Sequence, residues 1–154
     1  MNTQRGNNNP YNQDNETTWL DWDLLRRNAD VFRFFRMMIA FRKAHPSIGR
    51  SRFWREDVRW YGPAGPVDMG PDSRRLAYCL HGASQNDLDL YVMMNADVKG
   101  VRFGIQEGGR GAWRRVVDTA RPSPEDIVEE SSAPSLTAAA YDVRGRSVVV
   151  LVGR

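Results

Sequence analysis

Four carboxylates lie close together near the start of the chain, at Asp14, Glu16, Asp21 and Asp23. A glycosidase needs two carboxyl groups about 5–10 Å apart, one of them with a raised pKa. The same residue types are also common at helix starts, where they cap free N–H groups and complement the helix dipole. On spacing alone we favour the capping role, because a helix-like apolar segment follows directly.

The histidine and cysteine content gives no recognisable metal motif. The chain has two histidines, one cysteine and no CxxC or HxxxH spacing. His45 precedes Pro46, so we interpret it as a residue that satisfies carbonyls at a helix end. His81 is interpreted as a turn residue, and Cys79, in an apolar strand, as a buried inert thiol. We therefore predict no metal site and no cofactor.

The tryptophans offer flat aromatic faces that could stack on sugar rings. The alternative is packing in the core or between domains, and we favour packing for each of them. They are Trp19, Trp22, Trp54, Trp60 and Trp113.

Length and composition limit the class of protein. A chain of 154 residues, 41% hydrophobic, favours one domain or one small domain with an appendage, and can bury a core without disulfides. The formal charge of +3 comes from dispersed basic residues, so we predict no nucleic-acid partner. No secretory signal is visible, and no apolar run approaches the ~20 residues of a membrane span. We expect a soluble, cytoplasmic protein with no membrane partner.

The first part of the sequence predicts a polar loop followed by helices. Residues 1–16 are turn-rich, and Pro10 opposes a helix there. A longer helix is predicted from about Val31 to Ala44, with Asn28 or Asp30 as its cap and Pro46 beyond its end. Its apolar stripe is wider than one packing face requires, so it needs a further surface to cover it. The stripe contains Val31, Phe34, Phe35, Met38, Ile39 and Phe41, and it is widened by Phe32 and Met37.

The second part, residues 50–154, changes to the short alternations of strands. Six or seven strands between turn signals predict an antiparallel β-sandwich. The strands near 88–95 and 147–152 are apolar on both faces and are predicted to be central. Residues 104–111 are interpreted as a hairpin loop, and residues 120–135 as a surface loop. The predicted strands are Phe53–Tyr61, Leu76–His81, Leu88–Asn95, Val101–Ile105, Trp113–Val117, Leu136–Tyr141 and Ser147–Val152.

The run GNNNPYNQDNETTWLDWDLL, residues 6–25, resembles a segment of bacterial glycogen debranching enzymes of the isoamylase type, in the α-amylase clan. In that family a similar run, which here also includes Thr3 and Gln4, follows the last strand of the catalytic barrel; the family often has Cys where this chain has Asn12. FFRMMIAFRKAHPSI, residues 34–48, resembles the last barrel helix, whose R-x-x-HP signature is carried here by Arg42, His45 and Pro46. LDLYVMMNAD, WRRVVDTARPSPEDI and RSVVVLV resemble parts of the family's C-terminal sandwich.

This resemblance implies a mainly β fold. We expect an antiparallel β-sandwich of the amylase C-terminal type, residues 50–154. Residues 1–49 are expected to be a polar loop with one or two α-helices from the end of a (β/α)8 barrel. The implied family reaction is hydrolysis of α-1,6-glucosidic branch links during glycogen breakdown. Because the family's catalytic carboxylates lie upstream of the matching run, we expect a C-terminal fragment with no catalytic residues.

The resemblance also implies a place and partners for the polar loop. In an intact enzyme Asn9, Tyr11, Gln13, Asp14 and Asn15 would lie near the α-glucan, since amide and carboxylate groups pair well with sugar hydroxyls. The alternative is a loop that stabilises itself through Asx turns and caps the next helix.

The sequence leaves three hypotheses for the role of the chain. In the first, an architectural role, the sandwich supports the missing catalytic barrel. The alternatives are a free-standing α-glucan-binding module and a protein-interaction module. A homodimer through the helix around Val31 to Phe41 would cover the apolar stripe, and the polar loop is expected to be mobile or to serve as a dimer contact.

Overall fold

A computed structural model describes residues 6–51 and 53–153 of the chain. Thr3 and Gln4, which belong to the resemblance, lie outside these residues. The chain forms two compact units that divide between Arg36 and Met37. None of the helices in the described ranges is long and apolar enough to cross a membrane.

The first unit begins with the polar loop and continues into one helix and the first part of a second. Helix α1 spans Asp23–Arg27 and helix α2 spans Ala29–Ala44, two residues longer at its start than the sequence predicts. Asn28 lies between them. Its side-chain amide donates to the carbonyl of Leu24 (3.0 Å) at the end of α1, while its own carbonyl accepts from the N–H of Phe32 (3.0 Å) in α2. Asn28 therefore joins the two helices rather than capping α2 with its side chain.

Helix α2 ends at Ala44, as the following proline predicts. Pro46 then opens a short helix α3, Pro46–Gly49, where a missing N–H costs nothing. Within α2, which the structure describes in full, Phe41 is the one buried residue. Three other large apolar residues are half or more exposed: Phe32, Phe35 and Ile39. The wide apolar stripe is therefore present on the folded chain, and these three members of it are exposed.

The second unit is built on two antiparallel sheets, which confirms the predicted mainly β, sandwich-like class. The larger sheet has the strand order β1-β2-β3-β8-β5-β6, and the smaller pairs β4 with β7. The strands are β1 (Val58–Tyr61), β2 (Arg75–Leu80), β3 (Leu90–Asn95), β4 (Val101–Gly104), β5 (Trp113–Asp118), β6 (Ser135–Leu136), β7 (Ala140–Val143) and β8 (Ser147–Gly153).

The core lies between these sheets. Cys79 of β2 pairs with Tyr91 of β3, which pairs with Leu151 of β8, and all three are fully buried on one face. Phe103 of β4 and Val143 of β7 belong to the same core cluster. Strands β3 and β8 each have a hydrogen-bonded neighbour on both sides and are therefore central in the large sheet, as their apolar sequences predict.

Three local predictions are wrong. The strand expected over Leu136–Tyr141 divides into β6 and β7, which belong to different sheets. Residues 104–111 are not a hairpin loop, because they connect β4 of the small sheet to β5 of the large one. Residues 120–135 are not wholly at the surface: Ile127 is 1% exposed and bridges to Val117. Ile127 and Val128 are two adjacent apolar residues within a polar segment, and they give no periodicity from which such a contact could be predicted.

Candidate functional site

The polar loop is braced by its own side chains. The Oδ1 atom of Asn15 accepts from the N–H of Thr17 (2.9 Å), and Oγ1 of Thr18 donates to the carbonyl of Gln13 (2.6 Å). The indole Nε1 of Trp19 donates to Oδ1 of Asp14 (2.7 Å). The first of these contacts is the Asx-type turn expected for a self-stabilised loop, and the other two join side chains after the turn to residues before it.

The predicted substrate-binding residues share this loop but differ in their surroundings. Gln13, Asp14 and Asn15 take part in the bracing contacts. The backbone N–H of Asn9 donates to Oδ1 of Asn7 (3.0 Å), while the ring of Tyr11 is 84% exposed. The bracing therefore holds a defined loop shape and leaves the Tyr11 ring presented to solvent.

Asp21 shows the capping role that we favoured for the early carboxylates. Its Oδ1 accepts from the backbone N–H of Asp23 (3.0 Å), the first residue of α1. Its Oδ2 forms an ion pair with Arg27 at the other end of the same helix. Asp21 therefore stabilises α1 at both of its ends.

His45 is the centre of a buried junction between the C-terminal end of α2 and the loops of the large sheet. It is 2% exposed, and its Nδ1 lies 2.8 Å from Oδ1 of Asp87. Its Nε2 lies 3.0 Å from Oε1 of Glu130. The prediction that His45 satisfies helix-end carbonyls is wrong, because both ring nitrogens contact carboxylates. Those partners are 42 and 85 residues away in sequence, so local spacing could not reveal them.

Asp87 anchors α3 at the same junction. Its Oδ2 accepts from the backbone N–H of Ser47 (3.0 Å), and its Oδ1 accepts from the N–H of Leu88 (2.8 Å). Burial raises the pKa of Asp87, but the hydrogen bonds from Ser47, His45 and Leu88 outweigh it and bring the pKa below its ordinary value. The histidine and proline of the R-x-x-HP signature therefore fix a helix end to the sheet.

A second polar group lies where α3 leads into the sheet. The Arg50 guanidinium pairs with Oδ2 of Asp57, to which the hydroxyl of Ser84 also donates (2.7 Å). The hydrogen bonds from Arg50 and Ser84 lower the pKa of Asp57. Nε and Nη2 of Arg50 are buried without a hydrogen-bond partner among the residues that the structure describes. A surface cavity of about 560 Å³ adjoins this group and is also lined by Trp54.

A third group gathers at the end of β2. Sγ of Cys79, a ring nitrogen of His81 and a carboxylate oxygen of Asp89 all lie within 4.8 Å of one another. Glu107 approaches the other side of the imidazole, with Oε2 3.2 Å from Nε2 of His81. Glu107 also accepts from the hydroxyl of Tyr61, and burial together with this contact raises the pKa of Tyr61 to about 12. His81 therefore has a carboxylate on each side, and is more than a turn residue.

Cys79 is buried, as predicted. Burial is the main cause that raises the pKa of its thiol, and the nearby charges of Glu107 and Asp89 add to it. A thiol in this state is protonated and a poor nucleophile.

The tryptophans divide between core and surface. Trp113 is 4% exposed and donates from Nε1 to the carbonyl of Glu107 (2.8 Å), which confirms the packing role there. The rings of Trp54 and Trp60 each lie 5.4 Å from the ring of Tyr78, and together the three form an aromatic patch on the sheet. Trp19 and Trp22 are exposed and therefore do not belong to the core of this chain.

Sequence reasoning missed the His45 junction and the cluster at the end of β2. The cluster had one local signal, since Cys79 and His81 alternate along a strand and therefore point to the same face. Asp89 and Glu107 gave no signal, because only strand pairing and the crossover between sheets bring them near.

Comparison with known proteins identifies the family. The profile of the family described as "Isoamylase 1-3, C-terminal" matches residues 59–148. The isoamylase of Flavobacterium sp. is 31% identical over an alignment that covers 100% of this chain and 22% of that enzyme. The isoamylase 3 of Oryza sativa subsp. japonica is 36% identical over 83% of this chain and 16% of its own length.

Two further matches agree with these. The "Glycogen operon protein GlgX homolog" of Mycobacterium bovis is 40% identical over 41% of this chain and 10% of its own length. Among solved structures, the α-amylase from H. orenii aligns with a TM-score of 0.50 at 15% identity, covering 86% of this chain and 22% of the amylase. At that identity the structural likeness concerns the fold alone. The chain spans about a fifth or less of the length of these two isoamylases. It belongs to the family of isoamylase C-terminal domains.

Proposed function

We propose that this chain is the C-terminal part of a glycogen debranching glycoside hydrolase of the isoamylase type. The observation that carries the proposal is the match to an isoamylase over the full chain but only 22% of that enzyme. In the complete enzyme the reaction is hydrolysis of α-1,6-glucosidic branch links during glycogen breakdown. The role of this chain in it is architectural, and none of its residues is catalytic.

The contacts of the carboxylates support this assignment. A glycosidase pairs an acid with a nucleophile or base across the scissile bond. Here Asp21 caps α1, Asp87 binds the backbone of α3, and Asp57 pairs with Arg50. Each of these groups is occupied by a structural partner.

The domain division that we propose places a polar loop and barrel-type helices in residues 1–49 and the sandwich in residues 50–154. The His45 junction lies next to this boundary, where it would fix the last barrel helix to the sandwich. In the complete enzyme the barrel that precedes the loop would be the chain's main partner.

The polar loop would then lie at the rim of the glucan site. We propose Asn9, Tyr11, Gln13, Asp14 and Asn15 as its substrate-facing residues. The bracing by Asn15 and Asp14 supports this, because a rim loop needs a fixed shape to present the Tyr11 ring. We also infer a cytoplasmic location, where glycogen and reduced thiols such as Cys79 occur together.

An assay of the chain alone tests the architectural role. We expect no release of linear maltooligosaccharides from limit dextrin, while an intact isoamylase in the same buffer releases them. Titration with maltooligosaccharides is expected to show no binding at millimolar concentration. Binding in that range would favour a free-standing α-glucan-binding module, for which the Trp54–Tyr78–Trp60 patch offers stacking surfaces.

The exposed face of α2 favours a second kind of partner, another copy of this chain. Phe32, Phe35 and Ile39 are 50–61% exposed on one helix, and such a face is usually covered by protein. Light scattering is expected to show a dimer that Phe35→Glu converts to a monomer. A wild-type chain that stays monomeric at high concentration would exclude the homodimer.

A further inference from the structure

The cluster at the end of β2 combines the donor types of a zinc site. Cys79, His81 and Asp89 each bring one donor atom within 4.8 Å of the other two. The ring nitrogen Nδ1 of His81 lies 3.3 Å from Oδ2 of Asp89. A thiolate, an imidazole and a carboxylate are the ligands that proteins use for Zn²⁺.

The strands position these donors together. Cys79 and His81 are two residues apart along β2 and its extension, so their side chains share a face. Leu80 pairs with Leu90 across to β3, which brings Asp89 to the strand end opposite His81. The backbone N–H of Gly82 donates to Oδ1 of Asp89 (2.8 Å) and leaves Oδ2 directed towards the imidazole.

The second ring nitrogen of His81 has its own orienting group. Nε2 is buried and lies 3.2 Å from Oε2 of Glu107, but its geometry is not that of a hydrogen bond. Among the described residues this nitrogen therefore has no hydrogen-bond partner. A histidine that donates from one nitrogen to a carboxylate presents the lone pair of the other to a metal.

We propose that Cys79, His81 through Nδ1 and Asp89 bind one zinc-class divalent cation, with Glu107 as the positioning residue for the imidazole and water as the fourth ligand. Tetrahedral zinc requires donor separations of about 3.3–3.8 Å. The 3.3 Å between Nδ1 of His81 and Oδ2 of Asp89 already fits this range.

The chemistry of binding selects the class of metal. The thiol of Cys79 gives up its proton to solvent as the sulfur–metal bond forms, so affinity rises with pH. A thiolate with an imidazole favours Zn²⁺ or Co²⁺ over Ca²⁺ and Mg²⁺, which take oxygen ligands. The side chains of His81 and Asp89 are 27% and 35% exposed, which gives an ion access from solvent.

Cobalt absorption tests the site directly. The tag-free chain, stripped with a chelator, is titrated with Co²⁺. We expect a thiolate-to-cobalt charge-transfer band that saturates at one equivalent per chain and is bleached by Zn²⁺. Cys79→Ser is expected to abolish the band, and Zn²⁺ is expected to raise the Tm of the wild type but not of this variant.

Two milder variants keep the test informative if Cys79→Ser does not fold. Asp89→Asn, which keeps an oxygen for the Gly82 N–H, and Glu107→Gln are each expected to retain the band and weaken cobalt affinity at least about tenfold. The control Asp142→Asn removes a carboxylate that is 75% exposed and is expected to bind as the wild type does. Absence of the band in the folded wild type, or unchanged affinity in both milder variants, would overturn the proposal.

Discussion

At the scale of single residues, His45 makes the most specific prediction. Replacing it with Ala removes both contacts to Asp87 and Glu130 and leaves the buried Asp87 carboxylate without its side-chain partner. Loss of one partner of a buried pair costs about 3 kcal/mol, because the remaining charge stays desolvated. We expect His45→Ala to lower the free energy of unfolding by that amount, which urea denaturation shows as a lower midpoint with an unchanged m-value.

Arg26→Ala provides the control for His45. It removes an ion pair with Asp23 in which both side chains are more than 70% exposed. Such pairs contribute about 0–1 kcal/mol, so this variant is expected to unfold close to the wild type. Equal midpoints for His45→Ala and Arg26→Ala would contradict a stabilising role for the junction.

The lowered pKa of Asp87 predicts that the stability of the fold depends on pH. Its pKa in the folded chain is below its ordinary value of 3.8, so the unfolded chain binds this proton more tightly. The resulting stability is present above about pH 5 and is lost as the pH falls through the folded pKa. Urea unfolding is expected to show declining stability below pH 3.8.

Two other carboxylates contribute to this decline in the same direction. Arg50 favours the charged form of Asp57 and lowers its pKa. The backbone N–H of Lys99 does the same for Asp97. Asp87→Asn should make the decline less steep. If Asp87→Asn loses stability at low pH as steeply as the wild type, protonation of Asp87 is not a cause of the decline.

At the scale of elements, the pairing of β3 with β8 is the centre of the second unit. Leu151 of β8 is fully buried, and Leu151→Ala is expected to cost about 3 kcal/mol through lost transfer energy and a residual cavity. Leu20→Ala makes the same chemical change at a side chain that is 64% exposed, and is expected to change stability by less than about 0.5 kcal/mol. Thermal unfolding measures the loss of stability in each of the two variants. Similar losses in the two variants would contradict a central role for β8.

The elements also show which parts of the fold could be predicted from the sequence. Strands β3 and β8 were predictable because their continuous apolar runs fit a sheet centre, and the end of α2 because Pro46 cannot continue it. The separation of β6 from β7 was not predictable, since one apolar run with no turn signal supplied strands to two sheets.

The candidate sites were predictable only where their contacts are local. The bracing contacts of the polar loop join residues no more than five positions apart. The His45 junction depends on Asp87 and Glu130, which the fold alone brings together. The ligand set around His81 depends in the same way on Asp89 and Glu107.

At the scale of the whole molecule, the proposed role of the chain is that of a structural portion of a larger debranching enzyme. Its core is complete within the second unit, since Tyr91, Phe103 and Leu151 are fully buried. Its polar loop and α2 instead present Tyr11, Phe35 and Ile39 to solvent. A chain of this kind should fold alone and yet lack activity.

The most direct measurement is therefore hydrolysis of limit dextrin by the purified 154-residue chain. Circular dichroism first establishes that the chain is folded, and an intact isoamylase serves as the positive control. We expect no α-1,6 bond cleavage above buffer. Release of linear maltooligosaccharides by the folded chain, at a rate that follows its concentration, would contradict the claim that it holds no catalytic residues.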